Sequence, residues 1–331
     1  QFDDHWSTTG QVVSVGADDY DVEVEWAYLS YHVNDSLTWR AGRMRRPLYA
    51  FSDYLYVGYA YPWIRPPLEV YSPELRSYDG VDAIDLYYQT TFGDWDLGLQ
   101  AYYGNSSGRA EVDGGEVIEY KTRDDIGLVF ELDDSTLNFR LGYHRLPATD
   151  VATTSATQVL LDSLEFAGFS TVADELRTDD IESNFYSIAV GMDQGEWFMQ
   201  FEYTALENAN SIAADETSWY LMGGWRLDSS TVHFTYSERE REQNQTFSDP
   251  IYSQATMIAP FDPGAAAALN ALGAGVDFAA TRTELEQYSY TLGIRCDLDY
   301  PAALKVEWQR IFDEQYNLRT DVLSVGVDVL F

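Results

Sequence analysis

Asp321-Val322-Leu323-Ser324-Val325-Gly326-Val327-Asp328-Val329-Leu330-Phe331 closes the chain, and how it reads decides the fold. Leu323, Val325, Val327, Val329 and Phe331 fall on one face, and Ser324, Gly326 and Asp328 on the other, the period-two alternation of a β-strand. One such segment would also suit a soluble sandwich. The alternation recurs along the whole chain, however, in segments 7–16, 21–33, 37–46, 81–92, 95–104, 119–132, 136–146, 182–192, 196–207, 216–227, 231–241, 284–296, 303–313 and 320–331. That predicts fourteen strands in 331 residues.

The connections between these segments alternate in character. Val33-Asn34-Asp35-Ser36-Leu37, Leu132-Asp133-Asp134-Ser135-Thr136 and Leu227-Asp228-Ser229-Ser230-Thr231 set short runs of Asp, Asn and Ser between strands, the chemistry of tight hairpin turns. Residues 47–80, 105–118, 147–180 and 243–282 are far longer than ordinary loops. Short turns at one end and long loops at the other predict a single transmembrane antiparallel β-barrel over residues 1–331, with short periplasmic turns and long extracellular loops. Two of those loops carry helical segments, 157–166 and the alanine-rich 264–275.

Composition agrees. Aromatics make up 15% of the chain, yet mean hydropathy is −0.31 and no apolar run reaches the roughly 18 residues of a membrane helix, so a membrane-spanning form must be a barrel. Within strands, Trp95, Leu97, Leu99, Ala101 and Tyr103 oppose Asp96, Gly98, Gln100 and Tyr102, and Leu137, Phe139, Leu141 and Tyr143 oppose Asn138, Arg140, Gly142 and His144. The apolar set is expected to face lipid and the polar set a lumen. Trp39, Trp95, Trp197, Trp225 and Phe92 cluster near the short turns, where interfacial girdles sit.

Net charge is −35, from 55 acidic and 20 basic residues, which argues against nucleic acid as a partner. The acids concentrate in loops, as solvated charge or as sites where Ca²⁺ or Mg²⁺ bridges to lipopolysaccharide. No resident cofactor is expected. The lone Cys296 forms no internal disulfide. Phe2-Asp3-Asp4-His5-Trp6 resembles the interior turn Phe92-Gly93-Asp94-Trp95, which predicts a further hairpin before Gln1 and an even total of sixteen strands.

Cations are scarce but six of them, Arg40, Arg43, Arg45, Arg46, Arg65 and Arg76, lie in one segment that runs into the first long loop. That loop, 47–80, is rich in Tyr and Pro and is a candidate constriction. Arg40-Ala41-Gly42-Arg43-Met44-Arg45-Arg46-Pro47-Leu48, followed by Ser52-Asp53-Tyr54-Leu55-Tyr56-Val57-Gly58-Tyr59-Ala60-Tyr61-Pro62-Trp63-Ile64-Arg65-Pro66-Pro67, resembles the DcaP-like group of trimeric outer-membrane porins, related to the phosphate-selective porins. The match is specific over residues 20–70 and architectural elsewhere. The resemblance implies a homotrimer of sixteen-stranded barrels in a Gram-negative outer membrane, a constriction loop, and a lumen favouring small anions such as dicarboxylates.

From alternation alone, Arg40, Arg140, Arg226, Arg295 and Lys305 fall on the lumen face, where guanidinium and ammonium groups suit carboxylate or phosphate solutes. Arg43 and Arg45 share the Trp39 phase and should face outward unless a bulge shifts the strand. Asp85, Glu131 and Glu202 also point inward, with Asp96, Asp125, Glu307 and Asp328, so a cation-preferring pore stays open as the alternative. An outer-membrane hydrolase or a structural or adhesin barrel are readings of a different class. His5, His32, His144 and His233 stand singly, with no catalytic or metal-ligand motif around them, so no enzyme is expected.

Overall fold

A computed structural model describes residues 5–14, 20, 22–72, 79–112, 116–209, 212–298 and 301–330. Arg76, the turn residues Phe2, Asp3 and Asp4, and Phe331 lie outside the described residues. Fourteen strands form one sheet: β1 Trp6–Ser14, β2 Val22–Asn34, β3 Leu37–Arg45, β4 Gly80–Phe92, β5 Trp95–Val112, β6 Glu116–Asp133, β7 Leu137–Val151, β8 Ile181–Asp193, β9 Trp197–Ala209, β10 Asp215–Leu227, β11 Ser230–Glu242, β12 Leu285–Asp297, β13 Ala302–Asp313 and β14 Leu318–Val329. Each strand pairs antiparallel with the next in sequence, and β1 and β14 stand at the two ends of that order.

The sheet is turned inside out relative to a soluble core. On β14, Leu323, Val325 and Val327 are 73%, 66% and 60% exposed, and on β12 Leu292 is 50% exposed while its neighbours Thr291 and Gly293 are buried. The same holds on β7, where Phe139 and Leu141 are exposed and Arg140 and His144 are buried. An apolar face of this extent, carried by alternate residues on successive strands, is the lipid-facing surface of a barrel.

Inside lies a single long insertion. The chain leaves β3 at Arg46 and runs through 3₁₀ turns at Ser52–Tyr54 and Gly58–Ala60. Residues 46–72 then touch every strand from β5 to β14. The links run from Arg46 with Ser106 and Asp125, through Ala50 with Glu202 and Trp63 with Thr235, to Arg65 with Ser324. A sheet in which ten consecutive strands reach one short segment must curl around it. The apolar side of that segment, with Tyr49, Tyr61, Trp63 and Tyr71, packs on Phe185, Phe198, Tyr220 and Met222 from β8, β9 and β10.

A second core sits in the long loops. Helices α1 Ser155–Phe166 and α2 Ser170–Glu175 follow β7, and α3 Asp249–Ile258 and α4 Pro263–Thr281 follow β11. Thr154 and Asp262 cap α1 and α4 by accepting from the backbone N–H of Thr157 and Ala265. Leu161, Leu164, Leu176, Phe247, Ile251 and Val276 bury one another between them. The helices expected at 157–166 and 264–275 are both present, the second as part of a 19-residue helix.

Two expectations change. Residues 105–118, read as a loop, are largely strand: β5 and β6 each run for 18 residues, pairing from Ser106↔Thr122 to Val112↔Glu116 beyond a bulge at Gly104. Their polar sequence hid this, because a projecting two-stranded ribbon needs no apolar face; roughly 9–11 residues suffice to cross a bilayer. Arg45, whose phase pointed outward, is buried. β2 bulges at Glu25, where Trp26 pairs with Gln11 but Val24 with Val12, and Arg45, the last residue of β3, pairs with it at 2.6 Å.

The outer face makes a direct prediction. Leu292→Arg, midway along β12, should cost about 2–4 kcal/mol of stability in a bilayer. Urea-induced unfolding in phospholipid vesicles reads this cost, and a cost near zero would remove β12 from the lipid face.

Candidate functional site

The site is built where the inserted segment meets its wall. Four cations donate to main-chain oxygens of residues 47–63. Arg140 Nη2 reaches Pro47 O at 2.5 Å, and Arg45 Nη1 reaches Ser52 O at 2.8 Å. Lys305 Nζ reaches Gly58 O and Trp63 O, each at 2.6 Å, and Arg295 Nη1 reaches Tyr59 O at 2.7 Å. Carboxylates hold the donors in turn. Glu202 Oε1 accepts from Ala50 N at 2.8 Å and its Oε2 from Tyr71 Oη at 2.5 Å, while Glu307 Oε1 accepts from Ile64 N at 2.7 Å.

These groups are desolvated, so each needs its partner. Arg46 pairs with Asp125 in full burial and also donates to Ser106 and Thr122. Lys305 meets Asp328 Oδ2 at 2.7 Å. A Cβ at Gly58 would sit 2.5 Å from Asp328 Oδ1, so a larger residue there would push aside the carboxylate that Lys305 binds. Trp63 is 1% exposed, donates from Nε1 to Thr235 Oγ1 at 2.8 Å and meets Tyr220 edge-on at 5.6 Å.

The insertion leaves one side open. Along the inward face of β1–β4, toward the short turns, lies a cavity of about 730 Å³ lined by Ser7, Tyr28, His32, Thr38, Arg40 and Tyr87 among others, with no residue of the inserted segment in its wall. Arg40 is the wall cation facing it. Its Nε donates to the fully buried Asp85 at 2.6 Å, and the rings of Tyr28 and Tyr87 each lie 5.8 Å from its guanidinium carbon. Asp53 of the inserted segment is exposed and acts electrostatically on Arg40 and Tyr87, and Glu131, 44% exposed, acts on Tyr87 from β6. The crowding of carboxylates is felt at Tyr54, whose hydroxyl is pushed up to about 12 by desolvation and by Glu202, Asp53 and Glu131.

The residues singled out from sequence therefore divide. Arg40, Asp85 and Glu131 gather at the open side. Arg45, Arg46, Arg140, Arg295, Lys305 and Glu202 hold the inserted segment or its root. Arg226 lies at a short turn, bidentate to Asp193 at 2.7 Å. Arg65 is exposed, with Ser324 Oγ at 3.4 Å. Arg43 is exposed on the outer face with Trp39, opposite Asp82, and does not line the lumen. Asp53 and Tyr54 carry no sequence signal of their own, because nothing in a local pattern marks which loop side chains stay in water. His144 and His233 are buried, His233 with Nε2 3.6 Å from Glu307. Among the described residues no three His, Cys, Asp or Glu side chains gather to hold a metal ion.

No family model and no curated protein matches the sequence. Solved structures do. The outer-membrane channel DcaP of Acinetobacter baumannii superposes with TM-score 0.58 at 8% identity, over 99% of this chain and 80% of that one. A loop L8 deletion mutant of OmpT, an outer-membrane protein of Vibrio cholerae, gives 0.55 at 12% identity over 99% and 86%, and an anion-selective porin from Comamonas acidovorans gives 0.55 at 11% over 99% and 85%. At such identities the likeness is one of fold. Together with the apolar outer face it gives this chain the transmembrane β-barrel fold that those outer-membrane proteins share.

Removing Arg46 would strand Asp125 in a buried site, so Arg46→Ala should destabilise the barrel by about 3–5 kcal/mol. The temperature at which the folded gel band converts to the unfolded one should fall accordingly; an unchanged temperature would mean that the pair carries no such weight.

Proposed function

We propose that the chain is a passive diffusion channel in which small hydrophilic solutes cross beside residues 46–72, along the inward face of β1–β4. The inserted segment is the constriction in this reading. The chain works as a homotrimer, as the resemblance implies, and catalyses no reaction.

We further propose that the passage prefers cations and amine-bearing solutes to anions. One observation carries this: Arg45, Arg140, Arg295 and Lys305 spend their donors on main-chain oxygens of the insertion, whereas Asp53 keeps water contact near the opening and Glu131, though it accepts from Arg140 Nε at 3.2 Å, stays 44% exposed. A guanidinium already bonded to carbonyls has few N–H groups left for a passing carboxylate. Among the described residues Arg40 is the one Lys or Arg that lines the opening, and it is itself paired with Asp85. The anion preference that the arginine-rich segment suggested counts charges without counting their partners.

Single-channel recording in a planar bilayer under a salt gradient tests the proposal. A reversal potential of the cation-selective sign is expected. A unit charge about 5–8 Å from an ion in water contributes roughly 0.5–0.8 kcal/mol, a two- to fourfold change in preference. Asp53→Asn with Glu131→Gln should therefore lower the cation preference by about that factor each, and Arg40→Ala should raise it. An anion-selective potential in the unmodified protein would overturn the selectivity, and absence of conductance from folded protein would overturn the channel.

A further inference from the structure

A second cavity, of about 440 Å³, lies beneath the inserted segment at the short-turn ends of β7–β12 and shares no lining residue with the passage along β1–β4. Its roof is the segment itself, through Phe51 and residues 59–63, and its walls come from strand ends far apart in sequence. The volume lies within the roughly 300–1,000 Å³ of small-molecule sites. We propose that this cavity binds a small neutral polyol, a mono- or disaccharide.

Four of its five charged residues are arranged in closed pairs. Arg226 makes a bidentate contact to Asp193, with both bonds at 2.7 Å, and lies 4.5 Å over the Phe198 ring. Arg295 donates to Asp297 at 2.8 Å and lies 4.5 Å over the Tyr59 ring. An anion entering here would have to compete with a carboxylate already in place, and a cation with a guanidinium. A hydroxyl both donates and accepts, so it can add to a carboxylate lone pair and to a remaining guanidinium N–H without displacing either partner. Asp228, exposed at its turn, stands at the rim.

The cavity also holds uncommitted amides. Asn138 Nδ2 and Gln200 Oε1 converge over Gly191, where a Cβ would collide with both. The Asn138 side chain makes no hydrogen bond to another described residue, and the Gln200 amide reaches only Phe201 O, at 3.4 Å. A donor and an acceptor side by side, facing space and backed by a missing side chain, match the vicinal hydroxyls of a sugar ring.

The inference does not depend on the channel conducting, and its test does not measure conductance. Purified protein in detergent micelles is probed by saturation-transfer NMR with maltose, glucose, succinate and lysine. Maltose or glucose should bind in preference to both ions, and Asn138→Leu with Gln200→Leu should weaken that binding about tenfold while the heat-modifiable gel band is kept. Preference for succinate or lysine, no sugar binding by the unmodified protein, or sugar affinity unchanged in the folded double variant would each overturn it. Should the double variant not fold, the ranking of the four probes on the unmodified protein still decides.

Discussion

In hydrocarbon a backbone N–H or C=O without a partner costs several kcal/mol, and everything else in this structure follows from meeting that constraint. Antiparallel pairing between sequence neighbours satisfies the facing edges of the strands from β1 to β14. With the main chain satisfied inside the sheet, the outer side chains are free to be apolar and the inner ones polar. The sheet therefore sorts its residues inside out, and the interior becomes a place where charge can be stored.

Stored charge creates the second problem. Buried ions must be matched, because an unpaired one costs far more than a matched pair yields. Here the matching is done by the inserted segment as well as by the opposite wall. Lys305 illustrates it: the ammonium binds Asp328, Gly58 O and Trp63 O together, so neutralising one charge also fixes two points of the insertion. Aromatic packing of Trp63, Tyr71 and Tyr49 on β8–β10 then fills what the hydrogen bonds position. The open side, along β1–β4, is what is left when the insertion leans toward the rest of the wall.

The strand pattern was legible because alternation is a local property. Leu99 and Tyr103 against Gly98 and Tyr102 could be sorted by counting, and their exposure agrees. The loop helices were legible for the same reason. The long β5–β6 ribbon was not, since Ser106, Ser107 and Gly108 carry no alternating signal and are held by cross-strand pairing, with Arg46 reaching Ser106 from outside the ribbon. The inward phase of Arg140, Arg295 and Lys305 was readable, but their occupation was not: their partners are carbonyl oxygens, which every residue possesses, so no residue type announces them. Arg45 escaped its phase because a bulge on the neighbouring strand, invisible in its own segment, gave it Glu25.

That anonymity of the carbonyl has an evolutionary side. An anchor that grips the main chain does not care which side chain the gripped residue bears, provided that the backbone path is kept. Pro47 could be exchanged for another residue while Arg140 kept its hold on the same oxygen, whereas Tyr59 also meets Arg295 through its ring. The insertion can thus change what it presents to passing solutes by point mutation while its mooring stays as it is. A lineage of such barrels could diversify in diet faster than in shape.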